Sequence, residues 1–483
     1  MKIAVIGEGI VGYAVASYLA DNQNIVDCIS PDINFQKSSK EPNKELLINN
    51  NKLISPKLKR KDFVKNRIES EKIFKKECSH FEGIEMANKM GLAKFWGANL
   101  AYNGLKKDID SLKLTKKEWN FIKRIIPFFD VQNFYNEKFN WVQNNNLLKK
   151  QEVIQSSILA IYENLIQDDS LPGFESSKAI FGNFPIEKTK FNRIDGKVIK
   201  IQIDKKESIS TSIFIRNQEN IFKKEYDYVV ITSGAIGSYR LVMQSFQKNR
   251  NKKIFDKIKH HHIFSTLTFI PKLPYPKKYI GMSNFDMSLK LKNLKLYLNF
   301  FPFRSLIDVK NYQLKKIYKK SFLIKLQVFL LKIFNEYLIN FYFAKWIIHR
   351  LYISNIYLPS EITSSYIGND DKKVYLFGGL RSDYEKYFLR KFWIKLNNKL
   401  KIFGVFNLLK KPKSISIGAD LHYSSTLSNY VRKNGTLKIN GIPKNILVVD
   451  SSSSNYLPIS NPTLFFVARA IKLVRKIKKN NDK

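Results

Sequence analysis

Lys2 to Ile6 is a short, almost wholly apolar run that breaks at a cluster of glycines. Apolar residues then return at Val11, Ala14, Val15, Tyr18 and Leu19. The first run suits a parallel strand buried on both faces, and the second spacing predicts a helix with one apolar stripe. Asn24 to Ile29 predicts another strand, so residues 1–30 read as a βαβ unit. Residues 31–80 are polar and rich in Lys and Asn, and predict loops and surface helices. Residues 91–104 hold small residues around Trp96 and predict a packed loop, and 105–190 mix helical patterns with polar connectors. The runs VIKIQI and SIFIRN alternate apolar and polar positions, predicting a β-meander over 194–234 that ends in a buried strand, Asp227 to Thr232. Further strand-like runs lie in 262–303 and 356–380, with a long aromatic and basic helical stretch at 311–352 between them. A last strand, NILVVD, precedes a helix from about Pro462 to Lys478. Repeats and low-complexity linkers are absent from the sequence, so the folding units are expected to interleave.

With 483 residues and 44% hydrophobic content, the chain has enough for two or three folding units with a sizeable core. The net charge of +42, from 83 Lys+Arg against 41 Asp+Glu, suggests attraction to nucleic acid or an anionic membrane. The lysines are spread along the whole chain, however, alongside abundant Ile, Asn, Phe and Tyr, and no nucleic-acid motif accompanies them. Solvated lysine is the expected state, and no nucleic-acid partner is expected. The cysteines are Cys28 and Cys78, with no CxxC and no zinc spacing, so neither disulfide nor metal frameworks are expected, and a reducing cytoplasmic location fits. The opening apolar run is too short for a signal peptide. The run His260-His261-His262 has no carboxylate or Cys at metal spacing and reads as surface or strand edge.

Gly7-Glu8-Gly9-Ile10-Val11-Gly12 is a GxGxxG turn between a strand and a helix. Gly7 permits the tight turn, Gly9 lets a pyrophosphate approach the backbone, and Gly12 lets the helix pack on the strand. The helix start, at Ile10 and Val11, offers free N–H groups and a positive dipole end to phosphates. An acidic side chain normally closes the second strand and holds the ribose hydroxyls. Here that position is Ser30, with Asp27 inside the strand and Asp32 just beyond, so either Asp32 substitutes or Ser30 makes a weaker hydrogen bond.

Three further segments stand in order along the chain. Met90 to Ala98 carries Gly91, Trp96 and Gly97. Asp227 to Leu241 carries Ser233-Gly234-Ala235 at a strand end. Residues 418–475 carry His422-Tyr-Ser-Ser-Thr426, then Val449-Asp450-Ser451 and Asn461-Pro462-Thr463. Together with the glycine turn they resemble the glucose-methanol-choline (GMC) family of FAD-dependent oxidoreductases, in particular its bacterial members. The departures are Met90 for glycine, Ala93 for serine, Ser233 for alanine, Tyr239 for proline and Ser425 for glycine.

The resemblance implies FAD as cofactor. It would be held by Gly7, Gly9, Ile10, Val11, Gly12, Ser30, Asp32, Gly91, Trp96, Gly97, Ser233, Gly234, Ala235, Asp450, Ser451, Pro462 and Thr463. It also implies oxidation of an alcohol CH–OH group by hydride transfer to flavin N5. His422 matches the family's catalytic histidine, and histidine suits a base because its pKa lies near neutrality. Asn461 matches a position where the family has His or Asn, and its amide can donate to a developing oxyanion. The ordinary readings, a loop histidine and a helix cap, stand beside these roles.

The expected fold class is α/β, a discontinuous Rossmann-like FAD domain with a β-meander plus an α+β substrate domain with an antiparallel sheet. The FAD domain takes residues 1–104, 191–260 and 411–483, and the substrate region takes 105–190 and 261–410. A sugar or glycan is the favoured substrate, and the electron acceptor is open. Residues 321–352 are broken by charges at near-helical spacing, which argues against a membrane span. They read as an amphipathic helix on the substrate domain, with peripheral contact at the inner membrane surface as the alternative. Three other functions stay open. They are another FAD class, such as an amine oxidase or desaturase-like enzyme, a membrane-surface oxidoreductase of lipid alcohols, and a non-enzymatic basic binding protein.

Overall fold

The computed structural model describes residues 1–31, 74–76, 99–135, 152–160, 190–204, 210–217, 220–247, 254–274, 284–291, 293–303, 346–347, 349–369, 374–380, 391–415 and 422–477. The apolar opening run is β1 (Lys2–Ile6), at the centre of a parallel sheet. Its neighbours are β2 (Ile25–Ser30) and β11 (Tyr228–Ile231), flanked by β7 (Asn192–Asp195) and β21 (Ile446–Val448), in the order β21-β11-β1-β2-β7. A strand buried on both faces needs apolar residues at every position. Ile3 and Val5 face α1 (Ile10–Asp21) and the last described helix, α6 (Thr463–Val474). Ala4 and Ile6 face α4 (Gly234–Phe246) and a meander of β8 (Lys197–Asp204), β9 (Ser210–Asn217) and β10 (Asn220–Tyr226). The meander is antiparallel, as its alternation predicts.

The second layer is a seven-stranded antiparallel sheet. Its strands are β5 (Val153–Ser156), β13 (His262–Phe269), β14 (Phe285–Leu291), β15 (Leu294–Pro302), β16 (Leu351–Leu358), β19 (Phe406–Asn407) and β20 (Lys413–Ser414). One face is apolar: Phe264, Ile356, Leu298, Phe300 and Met287 join a core with α2 (Tyr102–Asp110), α3 (Lys116–Ile125), α5 (Trp393–Ile402), α1 and α6. The other face is polar. Ser265 pairs with Asn355, Asn355 with Asn299, and Asn299 with Asp286, making one row across four strands. The next row on that face is Ile263, Tyr357, Tyr297 and Ser288. This polar face is turned inward, since Ala101 and Ile459 pack on Ile263, Tyr297 and Tyr357.

Two small sheets complete the fold. One joins β12 (Ile254–Lys257), β17 (Thr363–Asn369), β18 (Val374–Leu380) and β3 (Phe74–Lys76), and the other pairs β4 (Phe129–Asp130) with β6 (Ile158–Leu159). Most of 321–352 lies outside the described residues, among which no helix is long and apolar enough to cross a membrane.

The histidine run corrects one expectation, because all three side chains are buried rather than at a surface or edge. The cause is cover on both sides. Lys259 exchanges two backbone hydrogen bonds with Ser424, and β20 lies against β13. His260 Nε2 then shares a hydrogen bond with Ser365 Oγ at 2.8 Å, and His262 Nε2 with Ser414 Oγ at 3.0 Å.

Candidate active site

The glycine turn follows directly from β1. Gly7 has φ +102°, and its N–H donates to Ile29 O at 2.8 Å. A Cβ there would lie 2.8 Å from Thr232 O and from Ser233 Cα, so only glycine fits. At Gly12 a Cβ would stand 1.8 Å from Gly7 O, which is how closely α1 packs on the turn. Gly9 is different: a Cβ there would meet nothing within 4 Å. Gly9 is also the N-cap of α1, with no side chain capping the helix. The first turn, at Ile10, Val11 and Gly12, therefore opens on a backbone cradle with a positive dipole end.

At the neighbouring strand end, Ser30 is buried. Asp27 is committed elsewhere, accepting from Tyr226 Oη at 2.8 Å and Asn192 Nδ2 at 3.1 Å. Asp32, Gly91, Trp96 and Gly97 lie outside the described residues. Glu8, between the first two glycines, is buried and pairs with Arg193 Nε of β7 at 2.5 Å. Nothing in the sequence pattern joins these two, 185 residues apart.

On the other side of the turn, Ser233 Oγ donates to Ile6 O at 2.9 Å, and α4 begins at Gly234 with φ +78°. Gly234 N and Ser238 Oγ donate to Asp450 Oδ2 at 2.8 and 2.5 Å. Ser452 N donates to Asp450 Oδ1 at 3.0 Å, joined by the Ser452 hydroxyl. The Asp450 carboxylate is thus engaged by four internal donors, fixing the start of α4 to the segment that follows β21. Burial still raises its carboxyl above the usual range, against the pull of those donors. Arg469 of α6, which sequence reasoning missed, clamps the same segment through Val449 O, Asp450 O, Ser453 O and Ser453 Oγ. Its own burial lowers it to about 10, partly offset by Asp450.

The His422 segment is laced onto this frame. Ser425 N donates to Ser451 O at 3.1 Å, Leu427 N to Ser452 O at 2.8 Å, and Thr426 Oγ1 to Ala235 O at 2.7 Å. Ser425 stands at φ +72°, a left-handed position that glycine would adopt without strain. The His422 ring lies edge-on to His261, with centroids 5.7 Å apart, and over Tyr357 at 6.2 Å and 24°. His261 is also edge-on to Tyr357 at 5.8 Å. His261 was missed because a run of three histidines hides which one faces inward. The signal was available in the alternation of β13, which puts 261 on the same face as 263 and 265.

Asn461 follows Ile459 and Ser460, and Ile459 packs in the cluster that holds Tyr357. Its Oδ1 accepts from Thr463 N at 3.2 Å and Thr463 Oγ1 at 2.9 Å, capping α6 just beyond Pro462. No described residue accepts from its Nδ2. Ser460 Oγ is buried with no hydrogen-bond partner among the described residues. So too is Asn299 Oδ1, while Asn299 Nδ2 donates to Tyr357 Oη at 3.3 Å. Asn99 Nδ2 donates to Asp286 Oδ1 at 2.9 Å and Tyr297 Oη at 3.2 Å, another connection with no sequence signal. Burial and the Asp286 charge raise the Tyr297 phenol well above its ordinary value, so it stays neutral. Among the described residues no group of three or more His, Cys, Asp or Glu is placed to hold a metal.

No family model matches the chain, and no curated protein matches it in sequence. In shape it is similar to the crystal structure of pyridoxine 4-oxidase from Mesorbium loti, with a TM-score of 0.60 over 99% of this chain and 99% of that one, at 10% identity. The mixed α/β fold is therefore shared from end to end.

Proposed function

We propose that this protein is an FAD-dependent oxidoreductase acting on an alcohol CH–OH group, with the GMC-like motifs as its machinery. The fold is shared with a protein that is by name an oxidase. The residues present fit the cofactor. The first turn of α1 is uncapped, Gly9 leaves open space where a diphosphate would lie, and Ser460 keeps a buried hydroxyl without a partner. Gly7, Gly9, Ile10, Val11 and Gly12 would hold the diphosphate, with Ser233, Gly234 and Ala235 beside them. Asp450 and Ser451 act through the frame that positions the His422 segment, and Pro462 and Thr463 set the start of α6.

When bound, FAD supplies the acceptor for a hydride from the carbinol carbon. The remaining work belongs to side chains. His422 takes the hydroxyl proton on a ring nitrogen, held in orientation by the rings of His261 and Tyr357. Asn461 Nδ2 donates to the substrate oxygen as charge develops there, while its Oδ1 stays locked on Thr463. The polar row Ser265, Asn355, Asn299 and Asp286 favours a hydroxyl-rich alcohol, sugars included, over a lipid alcohol. The observation that best supports the reading is His422, ring-packed at this polar face and tied by Ser425 to the segment after β21 and by Thr426 to the start of α4, on the β11 side of the glycine turn.

The test is an absorbance spectrum of the purified protein, followed by anaerobic addition of sugar alcohols, aldoses and pyridoxine. Flavin bands that bleach with one of these are expected. His422→Ala is expected to keep the bands and slow the bleaching by roughly 10²–10⁴-fold. A protein without flavin bands that does not take up FAD would end the proposal.

A further inference from the structure

We infer that Arg193, oriented by Glu8, is a binding residue for the adenosine diphosphate end of the cofactor and stands in for the acidic residue missing at Ser30. This rests on the dinucleotide reading above and deepens it. Three observations carry it.

The first is position. Arg193 is opposite Cys28 in the parallel β2–β7 register, and Cys28 is opposite Val5. Its side chain therefore rises on the face that carries α1, where it reaches Glu8 in the glycine turn. That is the flank of the turn on which β2 ends, and in this kind of sheet the adenosine half of a dinucleotide crosses the end of the second strand.

The second is charge. Glu8 puts a buried carboxylate beside the helix end that would receive a diphosphate. Arg193 neutralises it through Nε, and the guanidinium stacks against Phe191 with 5.4 Å from Cζ to the ring centre. A fixed, planar guanidinium is prepared to bind oxygens with little further ordering.

The third is an open valence. Arg193 Nη1 is buried and has no hydrogen-bond partner among the described residues, although the side chain as a whole is one-fifth exposed. Buried N–H donors are nearly always paired, so this one points to an acceptor that the chain does not supply. Ribose and phosphate oxygens of an adenosine diphosphate are such acceptors. The conventional carboxylate would accept from the ribose hydroxyls, whereas Arg193 donates.

The test uses the full chain, freed of flavin, with ADP, FAD and riboflavin as probes in calorimetric and fluorescence titrations. Arg193→Met is expected to weaken ADP and FAD by roughly tenfold or more, the worth of a charge-assisted hydrogen bond, and to leave riboflavin unchanged. Because that variant strands Glu8, the double variant Glu8→Gln/Arg193→Met is the deciding one. A persistent loss of ADP affinity in the double variant supports the contact. Recovery to the wild-type value overturns it, and reduces Arg193 to a counterion for Glu8. Unchanged ADP affinity in both variants overturns it while leaving the flavin reading intact. A wild-type protein that binds neither ADP nor FAD removes both.

Discussion

At Ser425 the backbone enters the left-handed region, at a position where the GMC motif that this segment resembles has glycine. The strain is offset locally: Ser425 Oγ donates to Ser454 O at 2.6 Å, and the backbone N–H is held by Ser451. The two contributions separate by substitution. Ser425→Gly loses the hydroxyl bond but releases the strain, whereas Ser425→Ala loses the bond and keeps the strain. The alanine variant is therefore expected to be less stable than the glycine variant by about 1 kcal/mol. Urea unfolding midpoints read this directly, and coincident midpoints would mean that the turn carries no strain. His422 and Asn461 could be singled out in the sequence as candidates, because both stand in short local patterns. His261 and Arg193 were not, since each meets its partner across more than 150 residues and no local rule joins them.

Between elements, the decisive connection is Asp450, which ties the start of α4 to the segment between β21 and α6. An asparagine there would turn an NH₂ toward donors on one side. A backbone N–H, of Gly234 or Ser452, would then be left unpaired in the interior. Asp450→Asn is expected to cost about 2 kcal/mol at neutral pH, within the usual penalty for a buried unpaired donor. The cost depends on pH. Burial raises the Asp450 carboxyl, so the folded protein holds that proton more tightly than the unfolded chain. Stability contributed by this group falls as pH rises from the ordinary carboxylate value through the raised one. The asparagine variant lacks that slope, so the gap between the two proteins is expected to widen toward acid. A gap in unfolding free energy that stays constant from pH 7 to about pH 4 would contradict this.

Element periodicity read β1, α1, β2 and the meander well, because each buries its apolar residues against neighbours close in sequence or on both faces. It read the seven-stranded sheet less well. The strands β14 and β15 alternate polar and apolar positions, which ordinarily means one face in water. Here the polar face is interior, packed on Ala101 and Ile459. Alternation shows that two faces differ, but not which one is wet.

Across the whole molecule, the parallel sheet is assembled from strands near residues 2–30, 192–231 and 446–448, and one continuous core joins α1, α2, α3 and α6 to the second sheet and α5. Neither layer has a core that ends at a clean boundary, so heating is expected to unfold both together. A ligand held only at the glycine turn would then stabilise the whole chain, by about 2.7 kcal/mol at a hundredfold excess over its Kd. On the proposed function ADP would reach that turn, whereas FAD would also carry a ring to the His422 face. At equal concentration FAD is therefore expected to raise the melting temperature more than ADP, through one shared transition. Equal shifts from the two ligands would mean that the ring gains nothing from the cluster of His422, His261 and Tyr357, and would separate the dinucleotide site from the chemistry assigned to it.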